Sequence, residues 1–182
     1  MTTFQPEAYG PVIADLLQEP RLIPLGPGTP NQAARARLQA LAVEKVFPAE
    51  GVRDRAMAEA CLAGLWLYHD FLDESHTISQ SIATSTGSYW HGIMHRREPD
   101  AGNAAYWFRR VGDHPVFEPL GKAAIILGLV TPSDKWNPFY FIELCEQHRG
   151  TGAEEEMLLC RVQLREWELL FDWCFRQGTG PC

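Results

Sequence analysis

The sequence predicts an all-α fold, and three observations lead there. No segment alternates apolar and polar residues over a strand's length. Apolar residues instead recur at helical spacing, as in Leu38, Leu41, Ala42 and Val46, and in Trp167, Leu170, Phe171 and Cys174. Helix-starting and helix-stopping residues frame several of these segments. With 182 residues, 46% of them hydrophobic, the chain can bury a real core. The expected architecture is a compact single-domain array of six to eight helices over residues 31–182. An extended Pro/Gly-rich N-terminal arm over residues 1–30 precedes it.

The arm ends in Pro24-Leu25-Gly26-Pro27-Gly28-Thr29-Pro30 and holds one short helix around Glu7–Gln18. Asn31 reads as the N-cap of a helix through about Val46, ended by Pro48. The next helix is expected to start near Ala49 and run beyond Leu72. It is apolar nearly all round, which suits a central, buried position. Residues 77–88, rich in Ser, Thr and Gly, read as loop or broken helix. A helix from about Tyr89 to Glu98 follows, stopped by Pro99. Asp100 caps a helix over Ala101–Val111, with Gly112 at its exit. Residues 115–130 form one or two short helices. Asn137-Pro138 opens a helix to about His148, ended by Gly150. Glu154, Glu155 and Glu156 then start the last helix, which runs to about Gln177, with acids at the positive end of its dipole.

Composition excludes several functions. The net charge of -7 argues against a duplex-binding surface, which usually carries a basic stripe, so no nucleic-acid partner is expected. The longest apolar run, residues 123–130, is too short to span a bilayer, and no signal peptide is visible; no membrane partner and a cytoplasmic location are expected. The five cysteines form no CxxC pair, so a zinc ribbon or thioredoxin-type site is unsupported. Only three cations are lysine; of the thirteen arginines, four lie between residues 96 and 110. Arginine binds carboxylate and phosphate through a planar, bidentate fork.

Five of the six histidines lie between His69 and His114, among acids, arginines and tryptophans. On one continuous helix His69, Asp73 and His76 would share a side. His91, His95 and Glu98 share a face of the following helix, and HxxxH lets two imidazoles bind one metal ion. Two facing helices would then offer His69, Asp73, His76, His91 and His95 as ligands for one divalent transition metal: zinc, iron or manganese. Such an ion lowers the pKa of a bound water. Glu98 or Glu74 is the candidate general base. Arg96, Arg97, Arg109, Arg110 and Trp90 are the candidate substrate-binding residues. This describes a metal-dependent hydrolase or lyase acting on a small anionic molecule.

Two other readings compete. In one, the His/Asp/Glu/Arg cluster is a buried hydrogen-bond network in a non-catalytic helical module, whose Trp-rich surface binds a partner or a second copy in a homo-oligomer. In the other, the arginines bind an anion without metal. His114 reads as a turn residue and His148 as a helix-dipole partner. There is no HExxH, and no pair of ExxH motifs of the ferritin-like di-iron type. The His69-Asp70 dyad resembles that of the HD phosphohydrolases, but no histidine precedes His69, and no role is carried over from that family.

Longer motifs point elsewhere. These are residues 67–76 (LYHDFLDESH), 89–100 (YWHGIMHRREPD), 106–112 (YWFRRVG) and His114-Pro115, with residues 165–172 (REWELLFD) towards the C-terminus. Together they resemble a family of uncharacterised bacterial and fungal proteins. That resemblance implies a grouping and no mechanism.

Overall fold

A computed structural model describes residues 4–47, 51–131, 133 and 135–179. Among these residues it is all helical, with one 3-10 turn at Pro6–Tyr9 and ten α-helices. They are α1 (Pro11–Leu16), α2 (Gln32–Gln39), α3 (Val43–Val46), α4 (Arg55–Tyr68), α5 (Leu72–Ser79), α6 (Ser85–Arg97), α7 (Ala101–Val111), α8 (Phe117–Leu127), α9 (Pro138–His148) and α10 (Glu154–Thr179). No helix among them is long and apolar enough to cross a membrane.

Two breaks raise the helix count above six to eight. The helix expected from Asn31 to Val46 divides at residues 40–42 into α2 and α3. The helix expected to run past Leu72 stops at Tyr68, and α5 begins three residues beyond His69. Its expected start at Ala49, and its predecessor's end at Pro48, lie outside the described residues. Asn31 stands before α2 without capping it through its side chain; that amide lies 3.1 Å from His69 Nδ1 instead.

The helix expected from Tyr89 starts earlier, at Ser85, because the Thr84 side chain caps it by accepting from the Gly87 N–H. Helix α5 runs to Ser79, within the stretch expected to be loop or broken helix. The boundaries of α7 and α9 fall as expected. The Asp100 carboxylate accepts from the Asn103 N–H at 2.9 Å, and α7 exits at Gly112. Asn137 Oδ1 accepts from the N–H groups of Phe139 and Tyr140 at the start of α9. Residues 115–130 contain a single helix, α8, closed by Gly128 in the left-handed region.

The central helix is α6, where every residue from Thr86 to Arg97 is buried. It packs against α4, α5 and α7, while α10 packs against α4, α8 and α9. Gly92 brings α6 and α7 together: a Cβ there would lie 2.9 Å from the Phe108 ring. Trp90 is 0% exposed, and its indole N–H donates to Cys174 Sγ on α10 at 3.4 Å. Cys61, Cys145, Cys160 and Cys174 are all free and buried.

The arm is bound to the core. Ile13, Leu16, Leu17, Ile23 and Leu25 are buried within the main cluster. Arg97, at the end of α6 and 0% exposed, is the principal tie. Its Nε–H points to the carbonyls of Pro24 (3.1 Å) and Gly26 (3.2 Å), and Nη1 donates to Leu67 O at 2.7 Å. Nη2 donates to Pro27 O at 3.1 Å and to the Asp70 carboxylate. Gln163 Nε2 donates to the carbonyls of Ile23 and Pro24, and Arg149 Nε to Leu25 O. Gly28 passes so close to Asp70 that a Cβ there would meet its carboxylate at 2.7 Å.

Asp70 sits between α4 and α5 with φ 64°, a region unfavourable for a residue with a Cβ. The Arg97 ion pair, joined by Arg21 Nη2 at 2.7 Å, holds it there. Removing one partner of a buried pair leaves the other charged and unpaired. Asp70→Ala is therefore expected to lower unfolding stability by about 3–5 kcal/mol in urea titration. A loss below about 1 kcal/mol would mean that the pair does not hold the arm.

Candidate metal centre

The turn at residues 69–71 decides which histidines meet. Because α4 ends at Tyr68, His69, Asp73 and His76 do not share one helical face, which corrects that expectation. His69 turns towards the arm. Its Nε2 lies 3.0 Å from Leu16 O and its Nδ1 faces the Asn31 amide, so a neutral ring protonated at Nε2 satisfies both. Neither nitrogen is left for a metal. Burial, aided by the Arg21 charge, pushes its pKa down to about 4. Asp73 is exposed on α5, and Glu74 pairs with Arg35 of α2 at 2.8 Å.

His76, carried round by the turn, faces α6. It joins His91 and His95 in a group in which one ring nitrogen from each lies within 4.8 Å of the others. His91 and His95 stand one turn apart on α6, with their Nε2 atoms 3.0 Å apart. The His76 ring centre lies 4.6 Å from that of His91 and 5.4 Å from that of His95. Nitrogens about 3.3 Å apart suit a tetrahedral ion with bonds of ~2.0 Å. The His91–His95 pair is already near that spacing, and His76 would close by up to about 1.5 Å to ligate the same ion. His91 and His95 are buried, whereas His76 is half-buried, which places the group beside the surface.

Glu98 adds an outer partner. Its Oε2 lies 3.0 Å from His95 Nδ1, and its side chain is 50% exposed. A carboxylate there makes Nδ1 the protonated nitrogen and leaves a lone pair on Nε2, the arrangement that orients a ligating imidazole. His91 has no such partner: its Nδ1 is buried without a hydrogen bond. Trp107 of α7 orients it instead, stacked on the ring at 4.0 Å and 21°. This contact escaped sequence reasoning, because nothing in the spacing of α6 and α7 pairs those two positions.

The electrostatics favour neutral rings. Burial first, then the neighbouring His76 and His95, push the His91 pKa down to about 3. Burial lowers that of His95 despite the opposing pull of Glu98. Neutral imidazole is the form that binds metal.

The candidate substrate residues disperse. Arg96 is 0% exposed, pairs with Glu166 and lies over the Phe141 ring at 4.6 Å. With Arg97 tied to Asp70 and Trp90 inside the core, these three are corrected from ligand-binding to structural residues. Arg109 lies in the wall of a different cleft. Arg110 alone stays beside the histidines. It is exposed, and its guanidinium lies 5.4 Å from the centre of Trp107, the ring stacked on His91. His114 occupies the expected turn but is buried: Nδ1 accepts from the Val116 N–H and Nε2 meets Thr86 Oγ1 at 3.2 Å.

No family model, no curated protein and no solved structure matches this chain. The site therefore rests on its own geometry.

The depressed pKa values set a pH dependence. His91 near 3 and His69 and His114 near 4 lie below the ordinary histidine value of 6.5, so the unfolded chain takes up protons first as pH falls. Their contribution is fully present above pH 6.5 and is lost as pH falls from about 6.5 to about 4 for His69 and His114 and to about 3 for His91. Urea midpoints should fall across that window, and a His91→Gln/His114→Asn variant should show a shallower fall. Identical slopes would show that these imidazoles do not carry the dependence.

Proposed function

We propose that the protein holds one divalent transition-metal ion on His76, His91 and His95, with Glu98 orienting His95. The observation that carries this reading is the convergence of three imidazoles, two of them held neutral by burial and one hydrogen-bonded to a carboxylate through its other nitrogen. Three imidazoles suit zinc or iron better than manganese, which prefers oxygen ligands. Three protein ligands leave a coordination position for water or substrate, as catalytic zinc sites do. An ion bound there would supply Lewis acidity and a water of lowered pKa.

The chemistry that follows is a hydrolysis or a lyase reaction on a small anionic molecule. Arg110, held by Tyr106 and Trp107 and facing solvent, is the cation placed to receive its anionic group. The alternative is a purely structural network. It is favoured by the existing hydrogen-bond chain from His91 through His95 to Glu98.

Elemental analysis of protein purified without chelator or nickel separates the two. About one zinc or iron per chain is expected, retained through gel filtration. His76→Ala, at the half-buried position, should lose the metal with an unchanged far-ultraviolet spectrum. Glu98→Gln should weaken binding by roughly 10–100-fold. Protein that stays free of stoichiometric metal after reconstitution would leave the network reading.

A further inference from the structure

A second cleft opens where the C-terminal end of α7 meets the start of α8 and the start of α9. Its larger lobe, about 600 Å³, is lined by Phe108, Arg109, Phe117, Lys135, Trp136 and Phe139, among others. An adjoining lobe of about 490 Å³ shares Asp113, Phe117, Lys135 and Trp136 and adds Glu118. Neither lobe is lined by any of the three histidines.

Three features of this cleft have no use inside the protein. Arg109 and Lys135 are both exposed and make no ion pair among the described residues. The Trp136 side chain is 8% exposed and rests on Phe141 at 4.9 Å between ring centres, yet its indole N–H is buried without an acceptor. The N–H groups of Phe139 and Tyr140 at the start of α9 are already taken by Asn137, so recognition there falls on side chains.

The charge balance is local. The chain carries a net charge of -7, yet the charged residues lining the larger lobe are Arg109, Lys135 and Asp113, a surplus of one positive charge. Glu118 of the adjoining lobe is paired with Lys122 at 2.6 Å. Phe117 and Phe139 supply apolar wall beside these cations. Convergent polar groups in an apolar cleft of a few hundred Å³ are the usual form of a small-molecule site.

We propose that this cleft binds a small organic monocarboxylate with an aromatic or branched apolar body. The carboxylate faces Arg109 and Lys135, beside the ring of Trp136. The body lies against Phe117 and Phe139. The site is independent of the histidine group, and either can be present without the other.

The test is a titration of the ¹⁵N-labelled protein with 3-phenylpropionate, its neutral amide and inorganic phosphate, following the tryptophan indole resonances. Trp136→Phe identifies the Trp136 signal by its loss. The acid should shift that signal saturably, while the amide and phosphate should leave it in place. Arg109→Ala/Lys135→Ala, both at exposed positions and so compatible with folding, should weaken binding at least about tenfold. His76→Ala, at the half-buried position, should bind the acid as the wild type does. Absence of a saturable shift, equal binding of the amide, unchanged affinity in the double variant, or loss of binding in a folded His76→Ala would each overturn the proposal.

Discussion

The Arg97–Asp70 ion pair is the contact on which the rest of the arrangement depends. It is buried at both ends and joins the end of α6 to the turn between α4 and α5. Burying two charges is costly, and the attraction between them offsets that cost only when the remaining donors are also satisfied. Arg97 meets this condition through carbonyls at Pro24, Gly26, Pro27 and Leu67. One guanidinium thus fixes a helix end, a turn and the N-terminal arm together. Its neighbour Arg96 points instead to Glu166 on α10, where Tyr89 donates to the other carboxylate oxygen at 3.0 Å.

The candidate site follows from that constraint. A continuous helix through residues 55–79 would carry His69 and His76 along one direction. The turn held at Asp70 redirects the chain, gives His69 to the arm and swings α5 so that His76 meets α6. The helix that supplies His91 and His95 is itself clamped at its C-terminal end by the two arginines. Positioning residues and candidate ligands are therefore contiguous: His95, Arg96 and Arg97 are three successive residues serving the site, the core and the arm. Precise ligand placement needs such support from the surrounding shell.

Much of this was legible in the sequence where the signals are local. The caps at Asp100 and Asn137-Pro138 and the exits at Gly112 and Gly150 located α7 and α9 closely, and the acidic first turn located α10. The i, i+4, i+7 spacing of His91, His95 and Glu98 placed them correctly on one face of α6. The break at His69-Asp70-Phe71 was not legible, because it contains neither glycine nor proline. An aspartate with positive φ is held there by an arginine 27 residues away. The burial of Arg96 and Arg97 is not legible for the same reason, since arginine is usually exposed unless paired, and the partner of Arg96 lies 70 residues along the chain. The division of α2 from α3 at residues 40–42 likewise carries no breaker.

The clamped end of α6 is proposed to present a three-imidazole site for metal. X-ray absorption at the zinc edge of the reconstituted protein tests it most directly, because that spectrum counts ligands by element and distance. Three imidazole nitrogens at about 2.0–2.1 Å, with one further light-atom ligand and no sulfur, are predicted. A sulfur shell near ~2.3 Å, or a shell of oxygens without imidazole scattering, would contradict the account.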